Sequence, residues 1–464
     1  MASPITATPG TLRPMLRLAL PVLFEQLLAM LVGFSDTLLT GHYLDRPHLA
    51  AINLLAYLLW LLYGLFSVVA IGATAMVARY VGAGDYRTAR RVTNQSLFLG
   101  ACFALAAMLL GLYAGPRIGF WLRLSGESAA FSGQYLGFVV PVIPLLMVQV
   151  VGVACLRGAG DMVAGLGIMA VVNAVNVAVS WSLVLGLGPL PQMGWTGLAL
   201  GTAAGYSAGG LSALFLLIGG RSRLHLHWRG LRPDKDLIRR LLRVGLPGGA
   251  DTLTLIACQL WFVSLINRLG DLAAAAHGVA IRSESLAFLP GVAFQMAAAT
   301  LAGQYLGAGD HRRAGRSVLM ALLVGGGLMV TAGLIFFTQA DRLPFVFLSS
   351  DQHQIARETS PLLRVVSLGM PPLALAMILS GALRGAGDTR WPLLITLVGF
   401  LGLRIPAVYY LCFPQVDLPL LGLQIPGWDL GVLGAWYAMV ADLTLRSGLI
   451  LFRFLHGGWK HVRV

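Results

Sequence analysis

The sequence is poor in charge. Only 11% of its 464 residues are Asp, Glu, Lys or Arg, where a soluble domain carries about 25%. Acids are the scarcer sign, 19 against 33 basic residues, for a net charge of +14. Cysteine is also scarce: Cys102, Cys155, Cys258 and Cys412 lie in or beside apolar runs with no CxxC spacing. That excludes a zinc or disulfide framework and reads as buried free thiols. The opening MASPITATPG is short and polar, and the run behind it is too long for a signal-peptide core, so no cleaved leader is expected. Of nine histidines only His277 lies near an apolar run, at its outer end. No converging nucleophile or His/Asp set is present, so an enzyme is not expected. No basic, aromatic-interleaved domain stands outside the apolar runs, and nucleic acid is not an expected partner.

What is abundant is hydrophobicity: 57% of residues, with a mean hydropathy of +0.78 and 57 glycines. The chain reads as an all-α polytopic membrane protein of twelve transmembrane helices. The apolar runs are 15–41, 49–77, 94–114, 130–156, 162–187, 195–218, 243–267, 272–303, 315–338, 359–384, 389–412 and 430–454. Most Lys and Arg fall in the loops after even-numbered runs and at the termini, among them Arg87, Arg90, Arg91, Arg157, Arg312, Arg313 and Arg390. The positive-inside rule then puts both termini in the cytoplasm; the expected location is the plasma (inner) membrane.

The chain repeats itself. LRLALP at Leu16 returns as LRVGLP at Leu242, YVGAGDYRTARR at Tyr80 as YLGAGDHRRAGR at Tyr305, and LRGAGD at Leu156 again at Leu383, all at nearly one offset. Six helices per repeat preserve orientation, so the repeats are parallel, a recurring transporter plan with substrate between the halves. The expected division is an N-lobe at 1–220 (helices 1–6), a basic cytoplasmic linker at 221–242 and a C-lobe at 243–464 (helices 7–12). The linker is a candidate for a short amphipathic helix on the membrane surface. Each GAGD should place glycines and a capping Asp between two helices. No Lys-Ser/Thr follows, so it is not a phosphate cradle.

Acids inside the runs are costly and default to functional candidates. Glu25 and Asp36 are 11 residues apart in the first run, roughly three turns, and share a face. Pro21 precedes both and removes a backbone hydrogen bond, a bending point. Asn173, Asn176 and Ser180 share one face of run 5. Asp36, Ser180 and Thr202 fall in one layer below the outer surface, with Asn176 a turn deeper. One carboxylate among amide and hydroxyl oxygens suits a proton or a hard cation such as sodium, with Asp36, Asn176 and Thr202 as its ligands. The plainer reading is that the Asn, Ser and Thr side chains only bond across helices. By the repeat offset Asp36 maps to Phe262, and Asn173 and Asn176 map to Phe400 and Leu403, so the second lobe lacks the set. Glu25 maps to Asp251; the two are either structural or line the cytoplasmic mouth. Arg282 is expected to pair with Asp251, leaving Glu284 as a second titrating or substrate-contacting acid. Asp442 and Arg446, i and i+4, should neutralise each other, and Arg404 reads as an interfacial anchor.

The segments LALPVLFEQLLAMLVGFSDTLLTG, YVGAGDYRTARR, LRGAGD, NAVNVAVSWSLVLGLGPLPQMGWTGLALGT and AAHGVAIRSESLAFLPG, in that order, resemble the multidrug and toxic compound extrusion (MATE) transporters over nearly the whole chain. The resemblance implies two six-helix lobes and no ATP or other cofactor. It implies exchange of small organic, often cationic, compounds for protons or sodium by a chain that works as a monomer among membrane lipids. Asp36, Asn176 and Thr202 match the N-lobe site of the DinF-like branch. Ser180 stands where that branch often has an acid, which favours protons. Pro21 matches a proline of that branch whose bending on protonation has been proposed. Leu255 and Leu373 stand where the NorM-like branch has C-lobe acids. A lipid-linked or polysaccharide flippase of the same wider superfamily is the alternative.

Overall fold

A computed structural model describes residues 10–121, 126–227, 232–349, 351–418, 423–462 and 464. It is built of twelve long helices: α1 Leu12–Tyr43, α2 Arg46–Gly82, α3 Tyr86–Trp121, α4 Gly126–Gly158, α5 Met162–Leu185, α6 Trp195–Ile218, α7 Lys235–Asn267, α8 Asp271–Gly307, α9 His311–Thr338, α10 His353–Gly385, α11 Arg390–Cys412 and α12 Gly431–His456. Eleven of them are long and apolar enough to span a membrane; α12 carries Asp442, Arg446 and Arg453. The all-α expectation holds, apart from a short antiparallel hairpin between α11 and α12, β1 Gln415–Leu418 with β2 Leu423–Pro426.

Several boundaries differ from the apolar runs because helices continue past the hydrocarbon-matched stretch. α3 starts at Tyr86, and α7 starts at Lys235, inside the expected linker, capped by the Asp234 carboxylate on the Asp236 and Leu237 amides. Of the linker, residues 228–231 lie outside the described residues, and Arg221–Arg223 form a single tight turn.

The four GAGD turns are alike. Their second glycines, Gly84, Gly160, Gly309 and Gly387, all have φ between 77° and 91°, the left-handed region that ends a helix cheaply only at glycine. Asp85, Asp161 and Asp310 then cap the next helix through the amides of Thr88, Ala164 and Arg313. Asp388 departs from the set and pairs with Arg453 at 2.8 Å. The first glycines press on backbone. Gly82 meets the Gln304 carbonyl and Gly307 the Arg79 carbonyl, so α2 and α8 cross as mates. Small residues allow this approach where lipid offers no hydrophobic drive for helices to associate.

The first helix of each repeat begins against the other lobe. Met15, Leu18, Ala19 and Val22 of α1 sit in one core with Ala297, Leu301, Leu379 and Leu383. Leu237 and Leu241 of α7 sit in the N-lobe core with Val69, Ala73 and Val77. Farther along, Leu39 of α1 and Phe262, Leu265 and Ile266 of α7 enter the cores of their own lobes. Glu25 forms an ion pair with Arg157, and Asp251 forms one with Arg384. Both arginines are that of the repeated LRGAGD. This overturns the expected Asp251–Arg282 pair: Arg282 is exposed, and Arg384 reaches Asp251 from α10.

Among the described residues, the hydrogen bonds joining the lobes lie near the end that carries the termini. Thr300 donates to the Arg157 carbonyl at 3.1 Å, Gln304 to the Gly158 carbonyl at 2.9 Å, and Arg79 to the Val462 carbonyl. Glycine contacts of α2 with α7, Gly72 on Leu241 and Gly245 on Val68, close the same end.

Candidate functional site

Helices α5 and α6 pack through glycines spaced by four along α6. Gly197 lies on Leu183, Gly201 on Ser180 and Gly205 on Asn176, and Gly209 on Val172 and the Gln149 amide. The close approach carries Thr202 of α6 and Asn176 of α5 to the outer half of α1. There the Thr202 hydroxyl donates to Asp36 Oδ2 at 3.4 Å, and the Tyr135 hydroxyl of α4 donates to Thr202 at 2.8 Å. The Asn176 amide reaches toward the same carboxylate. Asp36 is 7% exposed. Among the described residues, its Oδ1 and both amide atoms of Asn176 have no hydrogen-bond partner.

So three of the five candidate site residues come together: Asp36, Asn176 and Thr202. Ser180 is fully buried against Gly201, and its hydroxyl has no hydrogen bond among the described residues. Asn173 spends its amide on the Met169 carbonyl one turn back, at 3.0 Å. Sequence reading missed Tyr135, and with it Tyr63, Tyr206 and Gln149. The glutamine was the one with a signal, an amide within an apolar helix; tyrosines in an aromatic-rich chain give none.

Asp36 borders a cavity of about 560 Å³ that runs along α1 as far as Glu25 and Arg157. Its walls are mainly apolar, with Trp60, Tyr63 and Tyr206 on the side facing α1 and Met296 of α8 contributed by the other lobe. The two acids of α1 therefore share one space but differ in company. Glu25 is held by a guanidinium, while Asp36 meets only neutral donors. An acid without a fixed counter-charge in a buried space can exchange its charge for a proton or a cation; one locked to arginine is far less free to do so.

The C-lobe fills the matching place differently. Phe262, the counterpart of Asp36, is fully buried, and the Arg404 guanidinium lies 5.6 Å from its ring centre and 4.7 Å from that of Phe400. Arg404 ends a widened turn of α11, Val398–Arg404, and pairs with Asp442 at 3.0 Å. Arg446 pairs with the same carboxylate at 2.9 Å, as the spacing predicts. Arg404 is thus a buried ion-pair member and not an interfacial anchor. Glu284 is half-buried on α8, within reach of the Arg404 charge. His277 is buried between Phe262 and Trp436.

A probable multidrug resistance protein NorM of Thermotoga maritima is 28% identical over 98% of this chain and 95% of its own length. The multidrug resistance protein MdtK of Pectobacterium atrosepticum is 26% identical over 95% and 94%. The structure of a multidrug resistance MATE family transporter of the MOP superfamily, described as outward-facing, superposes with a TM-score of 0.88 over the full length of both chains at 18% identity. The model of the MatE family matches twice, at residues 21–182 and at 249–410, once on each repeat. With both halves matched, the chain belongs to the MatE family.

Proposed function

We propose that this protein is a secondary multidrug efflux transporter. It exports small organic, chiefly cationic, compounds across the plasma (inner) membrane against protons or sodium, with both termini cytoplasmic. The names of the NorM and MdtK relatives support the cargo class and favour drug export over the flippase alternative. The mainly apolar cavity favours it too, since a flippase for polyanionic cargo needs a basic one. At about 560 Å³ it falls in the range of ligand pockets, roughly 300–1,000 Å³.

The observation that carries the reading is the free Oδ1 of Asp36, a buried carboxylate oxygen beside neutral donors. A downhill ion entering from outside neutralises Asp36, which lowers the cost of closing water out of the N-lobe. The lobe then rearranges, with Pro21 as the bending point, and releases its cargo outward. The work available is about 2.3 kcal/mol per charge per 100 mV. Protons suit the site better than sodium. Thr202 already accepts from Tyr135 and donates to Asp36, leaving only Asp36, Asn176 and one Thr202 lone pair as ligands. The same set, with Leu255 and Leu373 in place of C-lobe acids, supports the DinF-like branch, although curated relatives carry NorM names. The contacts near the termini and the likeness to an outward-facing structure support a state closed toward the cytoplasm.

The test is efflux from liposomes under separately imposed pH and sodium gradients. Asp36→Asn is expected to bind substrate yet lose gradient-driven export. Wild-type export with intact ion dependence in that variant would end the reading.

A further inference from the structure

A second cavity, of about 800 Å³, lies at the end that carries the termini, and its walls converge from both lobes. Arg79 comes from the last turn of α2, Arg240 and Arg243 from the start of α7, His311 from the start of α9, and Lys460 and His461 from the turn after α12. Val244 and Leu306 supply apolar wall. No acidic side chain is among the lining residues. Arg240 is matched by Asp236 at 2.8 Å, but Arg243 and Lys460 have no ion pair among the described residues. Arg79 spends a guanidinium N–H on the Val462 carbonyl, which ties the last residues across the lobe boundary.

The positive-inside rule explains why this end is basic. It does not explain why cations from three segments of chain face one concave space. Like charges brought together repel, and a ligand carrying several anionic oxygens relieves that repulsion while matching the fork geometry of arginine. Basic pockets between transmembrane helices on the cytoplasmic side are a recurring way to hold phosphate head groups.

We propose that this cavity is a binding site for a phosphate-bearing anion, the head group of an anionic phospholipid or a soluble phosphate. Arg79, Arg243 and Lys460 hold the phosphate oxygens, and His311 and His461, whose rings lie 5.6 Å apart, border them. Because the cations belong to both lobes, the bound anion fastens the lobes together at this end. It therefore favours the state in which this end is shut and must leave for the end to open.

The full-length protein is reconstituted in nanodiscs of phosphatidylethanolamine alone, of the same lipid doped with cardiolipin, or of the first lipid with inorganic phosphate added. Native mass spectrometry reads retained ligand and thermal melting reads stabilisation. Cardiolipin retained with a raised melting temperature and no response to phosphate supports the site with a lipid occupant. A response to phosphate alone supports it with a soluble one. Removing two cations with Arg243→Gln/Lys460→Gln weakens binding about 30-fold. Arg312→Gln, which removes an exposed cation nearby but outside the lining, leaves binding unchanged. Wild-type protein that retains and responds to neither probe overturns the proposal, as does an equal loss in Arg312→Gln, which would mean diffuse charge and no site.

Discussion

Asp36 and Phe262 stand at matching places in the two repeats, and their neighbours decide what each place can do. Around Asp36 the partners are neutral hydroxyls and an amide; around Phe262 they are permanent charges. If the Tyr135–Thr202 chain serves the carboxylate, Thr202→Val and Tyr135→Phe should each cut gradient-driven efflux several-fold without lowering the yield of folded protein. Unchanged transport in both variants would remove the chain from the mechanism. The pair with Arg157 supports a structural role for Glu25. Arg157→Ala leaves it buried and unpaired, which costs about 3–5 kcal/mol, and Glu25→Gln/Arg157→Gln should recover most of the lost melting temperature. Asp36, Asn176 and Thr202 were legible because polar groups in apolar runs stand out and helical periodicity gives their depth. The arginine partners were not legible. Arg157 reads as a loop charge and Arg384 is its counterpart in the second LRGAGD; which acid each reaches depends on how α4 and α10 lean on α1 and α7, a tertiary fact.

At the scale of elements, the α5–α6 seam is set by glycines and not by propensity. Gly205→Val pushes a side chain into Asn176, and overpacking of this kind costs about 1–3 kcal/mol. Gly167→Ala on the same α5 meets open space and should be neutral or slightly stabilising. A thermal melt of both variants separates them. The turn between α4 and α5 is fastened by Asp161, which accepts from Arg221 at 2.7 Å, Ser222 at 2.7 Å and the Ala164 amide at 3.0 Å. Burial pushes this carboxyl up, but the bonds from Arg221 and Ser222 outweigh it and hold it below its ordinary 3.8. A depressed folded value means the contribution is full above 3.8 and is lost only as pH falls through the lower, folded value. Hydrogen-exchange protection factors around Arg221, corrected for the intrinsic pH dependence of exchange, should therefore be unchanged from neutral pH down to about 3.8. Loss of protection already near pH 6 would contradict the pairing. The helices themselves were visible as apolar runs to within a few residues. The exceptions, α3, α7 and α10, extend into polar sequence, where hydropathy has no signal.

At the scale of the whole molecule, the repeat told of two lobes but not of where one ends. A boundary drawn in the linker assigns all of α1 to the first lobe, yet its first turns belong to the core of the second, and α7 returns the exchange. Packing across a chain boundary leaves no local mark in sequence, since an apolar residue reads the same whichever neighbour it meets. The polypeptide should consequently be divisible in the linker. Two fragments made together should assemble, each gripping the other by its leading arm, and either made alone should be degraded, its arm's apolar side bare. Pull-down of one tagged fragment by the other, followed by an efflux assay, would decide it. A lone half, before the gene was doubled, faced the same bare arm and would have covered it by trading arms with a twin; the duplicated chain preserves that handshake within one polypeptide.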